Sequence, residues 1–163
     1  MTRQELFEYV KSHWYLKDGI VYSKLTDKPV AFSSNHLNHF SQMVEIDGKK
    51  SVVNIHAAVF MLYHNRPIGE GMHIHHIDGN PLNNHPSNLV ELTPKQHKRI
   101  HAYQCDDPLR GIALRKGAWE LRWYDDDGRC RGRRFHEINE AMKFRAEIEE
   151  PYRAELRALG LDC

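Results

Sequence analysis

From His73 to His101 the chain reads HIHHIDGNPLNNHPSNLVELTPKQHKRIH, and no other stretch limits the fold so tightly. Residues 72–77 predict a short strand, after which Asp78-Gly79-Asn80-Pro81 is dense in turn formers. A polar loop runs to Ser87, and Asn88 to Leu92 predicts a second short strand. Thr93-Pro94-Lys95-Gln96 then supplies an N-cap, a proline at the first helical position and a glutamine at N3, so a helix must start there. The stretch also holds six of the twelve histidines of the chain and four asparagines, which marks it as the candidate active site.

Folded as strand, loop, strand and helix, this unit sorts its histidines by geometry. His75 and His76 are adjacent on a strand and point to opposite sides, so one can bind a metal while the other handles a proton. His97 and His101 are spaced i,i+4 on the helix, which lets two imidazoles share one ion. Spacing alone does not say which of His75 and His76 takes which part.

The rest of the chain frames this unit. Thr2 and Glu5 form a capping box that predicts a helix over about residues 3–12. Trp14 to Ser23 and Met43 to Asn54 predict strands, the second region folded at Asp47-Gly48, with a polar loop, SSNHLNHFSQ, between them. IHAAVFMLY over 55–63 is too densely apolar for strand alternation and predicts a buried helix, ended by Asn65-Arg66-Pro67. Cys105 to Leu109, CDDPL, predicts a linker and a domain boundary. Beyond it, Gly111 to Lys116, Ala118 to Tyr124 and Arg129 to Phe135 predict three strands. Ile138, Ala141, Met142, Arg145 and Ile148 then trace one helical stripe, and residues 151–163 predict a last helical turn or two with a frayed end.

HHIDGNPLNN, with Asn88-Leu89, Thr93, His97 and His101 following at fixed spacing, resembles the HNH nuclease motif with its ββα-metal fold. The upstream run from Val44 to Asn80 is similar to the lead-in of phage homing enzymes of that family. The resemblance implies metal-dependent hydrolysis of DNA phosphodiesters, by nicking or double-strand cutting, leaving a 5′ phosphate and a 3′ hydroxyl. It makes His76 the general base and Asn88 the residue that braces it. His75 and His97 become ligands of one divalent ion, and His101 a third, as in colicin-like members. Mg²⁺ or Mn²⁺ is the expected ion. Many homing members carry Asp where His75 stands, and a nitrogen-rich set also accepts Zn²⁺ or Ni²⁺.

Formal net charge is +1, but from Arg110 to Arg134 there are eight Arg or Lys against four Asp or Glu. The segment from Gly111 to Phe144 is similar to the three strands and helix of the AP2 DNA-binding domain, with Trp119 and Phe135 at its core aromatic positions. Arg110, Arg115, Arg122, Arg129, Arg131, Arg133 and Arg134 are therefore the candidate contacts to double-stranded DNA. The fold expected is α+β: residues 1–104 as an HNH nuclease domain (core 69–104) whose ββα-metal module follows a helix and short-strand extension, 110–150 as a small AP2-like domain, and 151–163 as a tail.

Other features constrain less. His13, His56 and His64 read as ordinary core or surface residues; the motif does not require His73, and His85 lies in the loop. Cys105, Cys130 and Cys163 are odd in number and scattered, as in a reducing compartment. MTRQELFEYVKSHW has charges within each apolar run, so neither a signal peptide nor a membrane span is read there. The expectation is a cytoplasmic protein, in the host cytoplasm if phage-encoded, with a monomer favoured. Two other readings compete: a DNA-binding regulator whose metal serves only stability, and a defence or packaging nuclease of low specificity.

Overall fold

The computed structural model describes residues 1–34 and 39–163. They form two compact units, Met1–His97 and Lys98–Cys163, the division running through one continuous helix.

In the first unit, helix α1 (Arg3–His13) starts at the predicted capping box: Thr2 Oγ1 accepts from the Glu5 N–H at 3.1 Å and the Glu5 carboxylate accepts from the Thr2 N–H at 2.7 Å. The region 14–23, read from sequence as one strand, is two. β1 (Trp14–Lys17) and β2 (Ile20–Ser23) fold back at Asp18-Gly19, with φ of 52° and 74°. Both turn residues are left-handed, the conformation a two-residue hairpin needs to match strand twist. Gly19 meets a second demand, since a Cβ there would lie 3.2 Å from His85 Cδ2 in the site loop.

Strands β3 (Ser33–Ser34), β4 (Phe40–Ile46) and β5 (Lys49–Asn54) make a three-stranded antiparallel sheet, with the Asp47-Gly48 turn where it was expected. The expected loop over 33–42 needs correction. Its residues 35–38 lie outside those described, while Ser33-Ser34 and Phe40 to Gln42 are paired strand. Polar side chains hid the pairing, because strand preference reflects packing surroundings more than residue type.

Helix α2 (Ile55–His64) ends at Asn65 in the left-handed conformation and buries Ala58, Val59, Phe60 and Met61. These pack with Phe7, Val10, Trp14, Val21, Val44 and Val53 into the core of the unit, and Ile68 and Leu89 close it beside the site. β6 (His73–His76) and β7 (Leu89–Leu92) pair antiparallel in the register His73↔Leu92, His75↔Val90. Asn88, read as the first strand residue, instead closes a 3₁₀ turn over Pro86–Asn88, capped by His85. Helix α3 (Pro94–Tyr103) follows, its reciprocal cap formed by Gln96 N–H to Thr93 Oγ1 at 3.2 Å and Thr93 N–H to Gln96 Oε1 at 2.9 Å.

In the second unit, β8 (Ile112–Arg115), β9 (Ala118–Tyr124) and β10 (Cys130–Phe135) form an antiparallel sheet with β9 central. Ile112 and Leu121 pack on Ala141 of helix α4 (Ile138–Ala158), with Trp119, Trp123 and Phe144 around them. The helical turn or two expected within 151–163 continue this same helix to Ala158. It runs through Pro151 for 21 residues, and Leu156 and Leu161 beyond it are buried. Proline forfeits the bond to the Glu147 carbonyl, but burial of those leucines and a network around Glu149 hold the helix together. Glu149, 8% exposed, pairs with Arg110 and with Arg153 at 2.9 Å. No described helix is long and apolar enough to cross a membrane.

Candidate active site

The β6–β7 connection is held by its own asparagines and Asp78. The Asn88 side chain, buried, accepts from the Asp78 N–H at 3.0 Å and donates to Asp78 Oδ1 at 2.9 Å and to the Asn83 carbonyl at 2.8 Å. Asn83 donates to the other Asp78 oxygen at 2.8 Å. Donors from Asn83, the Asn80 backbone and Asn88 hold the Asp78 carboxyl below its ordinary range. Glu91 on β7 fastens the approach to β6, taking the Gly69 N–H at 2.6 Å and Arg66 at 2.7 Å.

His75 and His76 are both buried and, as neighbours on β6, face opposite ways. On the side of His75, its ring lies 5.3 Å from that of His97 on α3. One ligand nitrogen from each of His75, His97 and His101 falls within 4.8 Å of the others, and these are the three residues expected to hold a metal. Two nitrogens on one Zn²⁺ would lie about 3.3 Å apart, given bonds of about 2.05 Å, so small side-chain rotations close the set. Three imidazoles suit Zn²⁺ or Ni²⁺ and leave coordination positions open. The residues fit a divalent ion. His73, two residues before His75, also faces α3: its Nδ1 lies 3.4 Å from His97 Nδ1, a proximity the sequence motif does not require.

On the other side, His76 Nε2 lies 2.9 Å from Asn84 Oδ1. The Asn84 amide nitrogen donates to the Leu82 carbonyl at 3.5 Å, which turns the amide oxygen to the imidazole. An amide oxygen only accepts, so Nε2 carries the proton and the lone pair of His76 sits on Nδ1. Asn84 is thus the side chain bonded to His76, a contact the sequence does not point to although Asn83-Asn84 lies in the quoted motif. The ring of His56, on α2, stands edge-on to that of His76 at 5.4 Å, with His39 beyond it at 5.8 Å. Burial, and then the charges of His76 and His39, push His56 down to about 4, so it is neutral near pH 7. His85, exposed, bonds to Ser87 at 2.7 Å.

The seven candidate arginines of the second unit fall into different settings. Arg122, Arg131, Arg133 and Arg134 line one shallow groove along β10, together with Glu120 and Gly132. Within it Glu120 pairs with Arg122 and, at 3.7 Å, with Arg134, while Arg131 pairs with Asp125 at 2.8 Å. Arg133 stacks over Phe144 at 4.6 Å. Arg115 is on β8, and its carbonyl accepts from Arg134 at 3.2 Å. Arg129 enters β10 with its backbone N–H on Asp125 at 2.9 Å. Arg110 is turned to Glu149. The structure thus gathers four of the seven and places the other three elsewhere.

Residues 54–99 match the family model described as HNH endonuclease. The matched span holds His75, His76, Asn88 and His97 and stops before His101. Over 107 residues the chain is 35% identical to the SPbeta prophage-derived putative HNH homing endonuclease YosQ of Bacillus subtilis (strain 168), an alignment covering 63% of this chain. The chain spans 57% of the length of that relative. A solved structure of DNA binding and cleavage by the HNH homing endonuclease I-HmuI superposes with a TM-score of 0.45 and 18% identity, covering 81% of this chain and 76% of the other. A superposition at that level does not define a shared fold.

Proposed function

We propose that this protein is a metal-dependent DNA endonuclease of the HNH homing type. The observation that carries the reading is the division of labour across β6: ligand nitrogens of His75, His97 and His101 converge on one side, and His76 is held by Asn84 on the other. The HNH endonuclease match over 54–99 and the name of the prophage relative support it.

In this reading His76 Nδ1 takes a proton from the attacking water, and the Nε2–H bond to Asn84 keeps the ring aimed while positive charge develops on it. Neutral His56 adds no like charge beside that imidazolium. Asn88 acts one step back, holding the loop that carries Asn84. His75, His97 and His101 would hold a divalent ion, which when bound would stabilise the charge growing on the phosphate and the leaving oxygen. Mg²⁺ or Mn²⁺ remains the working assignment, with Zn²⁺ or Ni²⁺ open to a nitrogen-rich set.

Residues 110–150 are read as an AP2-like unit that contacts double-stranded DNA, and three antiparallel strands with a helix support that reading. Arg122, Arg131, Arg133 and Arg134 form the main phosphate-facing set, and Arg110, Arg115 and Arg129 are outlying contacts.

Supercoiled plasmid incubated with Mg²⁺, Mn²⁺, Ni²⁺ or Zn²⁺, scored for nicked and linear product, tests the whole reading. Cleavage should need a divalent ion and fall about 10²–10⁴-fold in His76→Ala. Unchanged metal-dependent cleavage in that variant would sink the mechanism. A protein that binds DNA and metal but never cuts would instead be a DNA-binding regulator with a structural ion. Cut ends scattered without sequence preference would replace homing with a defence or packaging role.

A further inference from the structure

We propose that His73 is a positioning residue for the metal site: it accepts a hydrogen bond from the Nδ1–H of His97 and thereby presents His97 Nε2 to the ion. The inference rests on the reading above that His75, His97 and His101 hold one divalent ion, and it adds a residue outside that set.

Strand geometry supplies the first observation. His73 and His75 are two apart on β6, so both face α3, and both rings stand edge-on to His97 at 5.3 Å, with interplanar angles of 68° and 72°. The second is the atom pair: the two Nδ1 atoms are 3.4 Å apart, a long hydrogen bond that lies just beyond the usual spacing of about 2.7–3.2 Å. The third is that His73 does not belong to the group of three whose ligand atoms converge. His97 therefore has two neighbouring histidines inside the ligand group, His75 and His101, and a third beside its Nδ1.

The chemistry of imidazole connects these facts. A histidine that binds a metal offers the lone pair of one ring nitrogen and, being neutral, carries its proton on the other. A partner for that N–H fixes the tautomer and the ring angle and raises the basicity of the ligating nitrogen. If His97 directs Nδ1–H at His73, its lone pair is on Nε2. His73 must then accept through Nδ1 and carry its own proton on Nε2, a proton its exposed ring can give to water. Outer partners of ligating histidines are usually carboxylates, carbonyls or water; here a second histidine fills the place.

The test is calorimetric titration of the full chain with Zn²⁺ and Ni²⁺, with the visible spectrum of the Co²⁺ form as a second readout. His73→Ala should weaken binding by about 10–100-fold while leaving one ion per chain and the Co²⁺ band positions of the parent. His73→Asn, whose amide oxygen can occupy roughly the place of Nδ1, should recover most of the loss. An Ala variant that binds within about threefold of the parent overturns the proposal, as does an Asn variant as weak as the Ala one. A Co²⁺ spectrum shifted to a different coordination number in His73→Ala overturns it too, by making His73 a ligand. Thermal melts of the ion-free variants check that they fold, which an exposed side chain on a paired strand should allow. If His75→Ala and His97→Ala bind as tightly as the parent, the metal-site reading itself fails, and this inference with it.

Discussion

The β6–β7 loop and the β9–β10 hairpin are both crowded with nitrogen-bearing side chains, and they manage them in opposite ways. In the loop, neutral amides and imidazoles are tied to one another and to the backbone, so that Asn88 alone makes three bonds. In the hairpin, permanent charges are balanced by carboxylates on the same hairpin, Glu120 and Asp125. The first arrangement fixes individual atoms, as a reaction requires. The second fixes a field, which suits a charged polymer more than a single bond. Chemistry at the loop should therefore be sensitive to single atoms, and affinity at the hairpin should be spread over many residues.

The largest expected departure from that contrast lies in the second unit, where one carboxylate is not spread out at all. Glu149 is buried against Arg110 and Arg153, and Glu149→Ala should destabilise the protein by about 3 kcal/mol, since two guanidinium groups lose their partner. Urea unfolding measures this, and a loss under about 1 kcal/mol would mean the pairs are solvated surface contacts.

Next in size is His56, where the first unit carries a titration. The folded value, about 4, lies below the unfolded one of about 6.5. As pH falls through 6.5 the unfolded chain gains a proton that the folded chain refuses, so stability declines between pH 6.5 and 4, by about 2 kcal/mol at pH 5. His56→Gln should flatten that decline relative to the parent, seen as a smaller fall in melting temperature from pH 7 to pH 5. Equal slopes in both proteins would show that His56 titrates normally.

Smallest are the groove arginines. Arg122→Ala and Arg131→Ala should each lower the salt slope of DNA binding by about 1 or less, without abolishing binding. A single variant that removes all affinity would erase the distinction between field and atom.

Much of this was legible in the sequence, and the reasons differ by residue. Asp78-Gly79-Asn80-Pro81 and Thr93-Pro94-Lys95-Gln96 act through backbone and caps within a few residues, so the strand, loop, strand and helix order could be read. Helical spacing put His97 and His101 on one face and strand alternation set His75 and His76 apart, but which of those two joins the helical pair came only from the resemblance; among the described residues it is His75. Asn84 could not be assigned, because its bond to His76 depends on how the loop folds back, which no short-range pattern encodes. Nor could the pairing of Ser33-Ser34, whose partner strand supplies the order. Helical turns after Pro151 were readable, but not that they continue α4 without a break, where buried Leu156 and Leu161 outweigh what the proline takes from the helix. Asp18-Gly19 is a different case: its signal matched that of Asp47-Gly48 and was simply readable.

β10 is also an edge strand, with β9 on one side only. An open edge invites another chain to add to the sheet, and proteins commonly guard such edges with charge. Arg131, Arg133 and Arg134 lie along β10, and charge of that kind disfavours the pairing of a second strand there. Neutralising that charge is expected to leave the edge a better template for aggregation.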